Sequence, residues 1–134
     1  MTRQLSVFVE NKPGKVSRIT SILARHDINL RAMTISDSGH FGVLHILTNS
    51  PEKAYRALKK EGLLVSFREV VIVEIPDEVG AFHRLAELLE KKGINIEDAS
   101  GFTAEKRCRA VIILKVANPQ MVEKFLIRSG YETV

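Results

Sequence analysis

A short pattern occurs twice in this chain at a fixed spacing. Asn11-Lys12-Pro13-Gly14-Lys15 is answered by Asp27-Ile28-Asn29-Leu30, and Asp77-Glu78-Val79-Gly80-Ala81 by Gly93-Ile94-Asn95-Ile96. Gly14 and Gly80, Ile28 and Ile94, and Asn29 and Asn95 each stand 66 positions apart (80 − 14, 94 − 28, 95 − 29). The apolar positions keep the same register: Val7, Val9, Val16, Ile19, Ile22 and Leu23 map onto Val73, Ile75, Phe82, Leu85, Leu88 and Leu89. Farther on the offset is 68, where Pro51, Leu58 and Gly62 are answered by Pro119, Leu126 and Gly130 (119 − 51, 126 − 58, 130 − 62). The second copy therefore holds two extra residues between Ile96 and Ala110. This is an internal duplication, and whatever fold the chain adopts must be built twice.

A unit of roughly 65 residues buries only about 60% of its unfolded surface and is marginal alone. Two copies with an equivalent apolar face therefore have reason to pack together. With no Trp, two Tyr and six Phe, the core falls to Val, Ile, Leu and Ala. The net charge is +4, and basic residues (Lys12, Arg18, Arg25, Lys59, Lys91, Arg107) are interleaved with acids (Glu52, Glu61, Glu87, Glu90). No run of like charges makes a tail or arm, so charge selects no partner. The single cysteine, Cys108, excludes an intrachain disulfide and fits a reducing compartment. The longest wholly apolar run, Ala110 to Leu114, is far short of the ~18 residues of a membrane span, and the first residues carry no apolar signal region. The expected location is the cytoplasm, with no membrane partner.

Leu5, Val7 and Val9 alternate with Ser6 and Glu10, the period of a half-buried strand. The Asn11–Lys15 turn ends it, and Val16, Ile19, Ile22, Leu23 and His26 recur at helical spacing. Strands are expected over Leu30–Asp37 and Phe41–Thr48, with a turn at Asp37–His40. Ser50 as cap and Pro51 at the first helical position open a second helix that turns Ala54, Ala57 and Leu58 inward and ends at Gly62. Leu63–Phe67 reads as a fourth strand. The second copy repeats this with strands over Val70–Ile75, Ile96–Thr103 and Arg109–Val116, and helices over Ala81–Lys92 and Pro119–Ser129. Asn118 is its second cap, and Tyr131–Val134 closes the chain.

The order β-α-β-β-α-β is the split βαβ arrangement. The expected class is α+β: two ferredoxin-like βαββαβ repeats, each an antiparallel four-stranded sheet with both helices on one face. Residues 1–68 make the first domain and 69–134 the second, with only Arg68 and Glu69 between them, too short for a free linker. Val70 and Ile72 are apolar where Gln4 and Ser6 are polar, so that strand needs a burying partner on both faces.

Gly14 and Gly80 stand where a strand turns into a helix, and only glycine makes that turn without a Cβ clash. A helix N-terminus also presents free N–H groups and a positive dipole end, where a carboxylate can dock. Asn11 and Asp77 open the two loops. Such residues commonly close their own turn; as ligand contacts, Asp77 suits an ammonium, whereas Asn11 offers both a donor and an acceptor. Asn29 and Asn95 fit the entry to the second strand better than a direct contact.

Motif and strand order together resemble the ACT domain family, twice over and across nearly the whole chain. That family's pattern is a strand, an Asp/Asn-x-Pro-Gly-x-aliphatic loop, a helix, then Gly/Asp-Ile-Asn-Ile entering the second strand. The resemblance implies a regulatory protein that binds a small molecule, usually an amino acid, at the interface between ACT domains and signals to a partner enzyme of amino-acid metabolism. By resemblance the ligand-binding residues are Asn11, Lys12, Pro13, Gly14, Lys15 and Asn29, and Asp77, Glu78, Val79, Gly80, Ala81 and Asn95. Met33 and Ile35, or Ser100 and Gly101, would face the other copy's ligand. Asn11 and Val79 depart from the paired pattern, so the two sites need not be equivalent. A homodimer of the chain is expected as well.

No catalytic set stands beside this reading. His40 and His45 differ by five, which in an extended stretch points them to opposite faces; His26 and His83 stand alone, and no cysteine pair completes a metal site. Cys108 lies between Arg107 and Arg109 but lacks an identifiable base. Nucleophile elbow, phosphate loop and dinucleotide fingerprint are all missing, so neither turnover nor a cofactor is expected. Two alternatives stand beside the regulatory reading: a small enzyme of unknown activity, and an RNA-binding protein stacking bases on aromatics of the first and third strands. For the latter, His40-Phe41-Gly42-Val43-Leu44 echoes the required octapeptide but places Val43 or Leu44 at its second aromatic position. No nucleic acid is therefore expected.

Overall fold

The structure, a computed structural model, describes residues 2–104 and 108–134. In chain order the elements are β1 (Thr2–Glu10), α1 (Lys15–Arg25), β2 (Leu30–Asp37), β3 (Phe41–Thr48), α2 (Pro51–Lys60), β4 (Val65–Pro76), α3 (Ala81–Lys91), β5 (Asp98–Ala104), β6 (Arg109–Lys115), α4 (Pro119–Arg128) and β7 (Glu132–Thr133). They form two compact units, Arg3–Arg68 and Glu69–Val134, the latter joined by Thr2, whose hydroxyl donates to the Val134 carbonyl at 3.0 Å. Among the described residues, no helix is long and apolar enough to cross a membrane.

The first unit is an antiparallel sheet in the order β2-β3-β1-β4. Val7 pairs with Leu44 and Leu5 with Ile46, so these four share one face. That face and the predicted stripes of α1 (Ile19, Ile22, Leu23) and α2 (Ala54, Ala57, Leu58) make one buried aliphatic core. At its margin Tyr55 stacks on Phe67 with centroids 4.6 Å apart, and the Arg3 guanidinium lies 4.2 Å from the Phe67 centroid.

The second unit repeats the plan in the order β7-β4-β6-β5, with Val73 opposite Ile112 as Val7 is opposite Leu44. Its core joins Val71, Val73 and Ile75 to Leu85 and Leu89 of α3 and Val122 and Leu126 of α4. Pairing also locates the insertion. Asp37 faces Gly42 in one copy and Thr103 faces Ala110 in the other, so the two extra residues fall between Thr103 and Ala110.

Two strands and the chemistry of two helix caps differ from the sequence reading. Leu63–Phe67 and Val70–Ile75 are not two strands, because β4 runs unbroken from Val65 to Pro76. Nothing between Phe67 and Val70 has turn chemistry, and the β-branched run Val70–Val73 favours extension. Arg68 and Glu69 are therefore strand residues and not a connection. β5 begins at Asp98 and not at Ile96, since Ile94 and Ile96 pack against the core just ahead of it. Ser50 and Asn118 do occupy the cap positions, yet their side chains make no capping bond. The following prolines hold both residues extended and themselves supply the helix start.

Val70 and Ile72 are buried along with Val71 and Val73. The need for cover on both faces of this strand is met within one chain, so the pair gives no ground for a second one.

Candidate functional site

The first glycine loop is tied to the β2–β3 hairpin and not to itself. The Asn11 backbone N–H donates to the His40 carbonyl at 2.8 Å, and its side-chain Nδ2 donates to the Gly39 carbonyl at 3.0 Å. The Gly39 N–H in turn donates to Asp37 Oδ1 at 2.9 Å. Gly14 has φ 86°, in the left-handed region, while a Cβ built there would meet nothing within 4 Å. Glycine is thus required by the backbone angle and not by crowding, which would cost another residue about 1–2 kcal/mol. The first helical bond of α1 runs from the Arg18 N–H to the Gly14 carbonyl at 3.0 Å. No side chain caps the helix and no acid lies in its first turn, which leaves the Val16 and Ser17 N–H groups without an acceptor among the described residues.

Beside this helix end is a cleft of about 110 Å³, whose walls include Asn11, Lys12, Val16, Ile35 and Asp37. Lys12 Nζ is 3.2 Å from Glu10 Oε2, and Lys15 Nζ is 3.6 Å from Glu10 Oε1. The hydrogen bond and positive charge of Lys12, aided by Lys15, hold the Glu10 carboxyl below its ordinary value of 4.5. The lining thus combines Val16 at the helix start, Lys12 with its partner Glu10, and Asp37. Pattern reading missed Asp37, because cross-strand register decides which end of β2 meets the loop, and took Val16 only as the apolar residue that follows it.

Not every predicted residue gathers here. Ile35 lines the cleft of its own copy, whereas Met33 does not. Asn29 lies at the other end of β2, where its N–H donates to Asn49 Oδ1 at 3.1 Å and its carbonyl accepts from the Asn49 N–H. Asn95 lines a separate concavity with Glu90 and Gly93 near the end of α3. Both asparagines thus sit at a strand entry, away from the loops.

The second loop has the same frame and different charges. Its Asp77 N–H donates to the Cys108 carbonyl at 2.9 Å, and Gly80 has φ 83°. The Arg84 N–H makes the first helical bond to Gly80, so the Phe82 and His83 N–H groups match Val16 and Ser17. Glu78 replaces Lys12 and is held 2.5 Å from Arg84 Nη2, and buried Ala81 replaces Lys15. Val79, in the place of Pro13, is fully exposed. Gly101 replaces Ile35, and a Cβ there would approach Ile112 Cδ1 to 2.7 Å. A carboxylate is therefore better served by the first loop, and an ammonium by the second.

Two other groupings escaped the sequence reading. Phe8 and Phe41 lie on the sheet face away from the helices, about half exposed, with centroids 5.2 Å apart. The signal was available, since Phe8 is on the outward alternation of β1. The same positions in the second copy hold Glu74 and Arg109, an ion pair at 3.7 Å. On the same face of the first sheet, Ser6 Oγ is 2.9 Å from His45 Nδ1 and Arg68 Nη1 is 3.2 Å from Nε2. Guanidinium only donates, so Nε2 accepts and Nδ1 carries the proton. Of the arginines beside exposed Cys108, Arg107 lies outside the described residues and Arg109 pairs with Glu74 and Glu132. No cluster of metal-ligating side chains occurs among the described residues.

Known structures share this architecture. A protein from Bacteroides thetaiotaomicron superposes with a TM-score of 0.93 over 99% of this chain and 91% of its own, at 30% identity. The ligand-free regulatory subunit of aspartate kinase from Thermus thermophilus gives 0.67 over 95% and 91% at 14% identity. That from Thermus flavus gives 0.61 over 84% and 82% at 19% identity. At such identities these two establish the fold alone. No curated protein matches the sequence. The sequence model described as an ACT domain pair matches residues 1–134, the span over which the glycine loop, its helix and its sheet occur twice, and the chain therefore belongs to the ACT domain family.

Proposed function

We propose that this ACT domain pair, with residues 1–68 and 69–134 as its two domains, is a cytoplasmic regulatory protein that binds an amino acid at its glycine loops and signals occupancy to a partner enzyme of amino-acid metabolism. One observation carries the reading: each loop leaves two helix N-terminal N–H groups unpaired beside a glycine with no Cβ to obstruct approach. In the first copy the α-carboxylate takes the Val16 and Ser17 N–H groups, with Lys12 and Lys15 as countercharges and Pro13 and Gly14 shaping the turn. The α-ammonium turns to Asn11 Oδ1, whose Nδ2 is already bonded to Gly39, and to Asp37. In the second copy Asp77 takes the ammonium, and Glu78, Val79, Gly80 and Ala81 form the loop. No turnover is assigned, because His45, which bonds the Ser6 hydroxyl, has its other nitrogen on Arg68.

The first cleft, about 110 Å³, is well below the roughly 300 Å³ at which small-molecule pockets begin. A wall from a second chain would complete it. β2 ends its sheet and exposes Met33 and Ile35, so a homodimer through this strand is proposed. Light scattering at micromolar concentration should give twice the 15.0 kDa chain mass, and the single-chain mass rejects the dimer.

A thermal-shift screen against the twenty amino acids tests the reading. A ligand at 100 times its dissociation constant adds about 2.7 kcal/mol, enough to raise the melting temperature by several degrees. No shift with any of them rejects the amino-acid assignment.

A second reading, single-stranded nucleic acid on the helix-free face, is favoured by Phe8 and Phe41, which occupy the first and third strands as base-stacking aromatics do. It ranks below the first because the aromatic pair is not repeated: the second copy has the ion pair of Glu74 and Arg109 at the same positions. Absorbance of the purified protein at 260 nm in excess of that at 280 nm would reverse the ranking.

A further inference from the structure

We propose a second ligand site, in the cleft between the end of α3 and α4, for a compact organic anion with at least two negative charges and a flat or apolar body. The cleft is about 490 Å³, within the range of small-molecule sites. Met121 and Phe125 supply its apolar floor, and Lys92, Lys124 and Arg128 its charge. Lys92 Nζ lies 5.3 Å from the Phe125 centroid, and none of the three cations has an acidic partner among the described residues.

Basic residues at helix ends are ordinary, since they complement the helix dipole. That accounts for Lys92 and Arg128, the residues at the ends of α3 and α4, but not for Lys124, a turn earlier. The duplication supplies an internal comparison. In the first copy, Gln120 and Ser129 correspond to Glu52 and Glu61, which pair with Arg3 and Arg25. Met121 and Phe125 correspond to Lys53 and Ala57. The second copy has therefore exchanged both acids for neutral residues and gained an apolar floor, while keeping cations at Lys124 and Arg128 where the first has Arg56 and Lys60. Unpaired cations around an apolar surface suit a ligand that is anionic at one end and apolar at the other. Phosphate and carboxylate chemistry both meet that description. This site does not depend on the amino-acid reading of the loops.

Isothermal titration calorimetry with magnesium-free ATP and with benzene-1,2,4-tricarboxylate separates the two anion sources, with tripolyphosphate and adenosine as probes lacking the body or the charge. One of the first two should bind, and more tightly than tripolyphosphate or adenosine. Lys124→Gln/Arg128→Gln should weaken that binding about tenfold or more. Arg56→Gln/Lys60→Gln, the same charge change at the equivalent positions, should alter it less than about twofold. All four residues are exposed, so both double variants should fold, which circular dichroism is to check. The proposal is overturned by no binding of either anion, by equal losses in the two double variants, by tripolyphosphate binding as tightly, or by a twelve-nucleotide single strand displacing the bound anion through simple charge. An amino-acid response that survives in Lys124→Gln/Arg128→Gln keeps the loop reading separate from this one.

Discussion

Leu23→Ala should lower the unfolding free energy by about 3–5 kcal/mol, and Leu89→Ala by a similar amount. Both side chains are fully buried, on the inward stripes of α1 and α3, 66 positions apart (89 − 23). Their carbonyls play one role too, accepting the N–H of Ile28 at 2.9 Å and of Ile94 at 2.8 Å as each helix ends. Truncation removes an aliphatic side chain from a closely packed core that small helices and a sheet cannot collapse to fill. Native domains hold only about 5–15 kcal/mol in reserve, so either change uses up a large part of it. Leu64→Ala is the contrast: that side chain is 73% exposed, and its loss should cost less than about 0.5 kcal/mol. Urea denaturation reads all three as midpoint shifts at constant slope. A loss below about 1 kcal/mol for both core variants would show that these helices do not pack on the sheets as described.

Ser17→Pro should weaken binding of the amino acid found by thermal shift roughly ten- to a hundredfold, whereas Ser17→Ala should leave it unchanged. A site made of main-chain donors has no side chain to delete, but proline deletes a donor. Ser17 is exposed and lies in the first turn of α1, where its N–H has no helical acceptor and proline is tolerated. Proline disfavours the helical conformation of Val16 before it, so some stability will be lost and folding is checked by circular dichroism. A hydrogen bond to a charged group contributes about 1.5–3 kcal/mol, which sets the expected range. Equal affinity in a folded Ser17→Pro variant would remove this N–H from the site.

Most of the architecture was legible because the duplication let each copy check the other. Strand alternation at Leu5, Val7 and Val9 and the helical spacing of Ile19, Ile22 and Leu23 identified the core face before any coordinates. Most of what escaped was decided by pairing between distant segments. The continuity of β4 through Arg68 and Glu69 was obscured by the repeat, whose two copies suggested a break between them where the residues themselves carry no turn signal. Sequence left Asn11 either closing its own turn or meeting a ligand, and could not show that its amide donates to Gly39 in the turn between β2 and β3. The same register puts Asp37 beside the loop and leaves Asn29 at the far end of β2. Phe8 and Phe41 are distant in sequence and adjacent in the sheet, so one octapeptide contains only one of them.

Amide chemical shifts of the isotope-labelled protein, titrated with the amino acid found by thermal shift, test the loop assignment most directly. The Val16 and Ser17 amides should move saturably as the ligand is added, because their N–H groups gain the ligand carboxylate as acceptor. Movement confined to other residues, with Val16, Ser17, Phe82 and His83 unchanged at saturation, would contradict it.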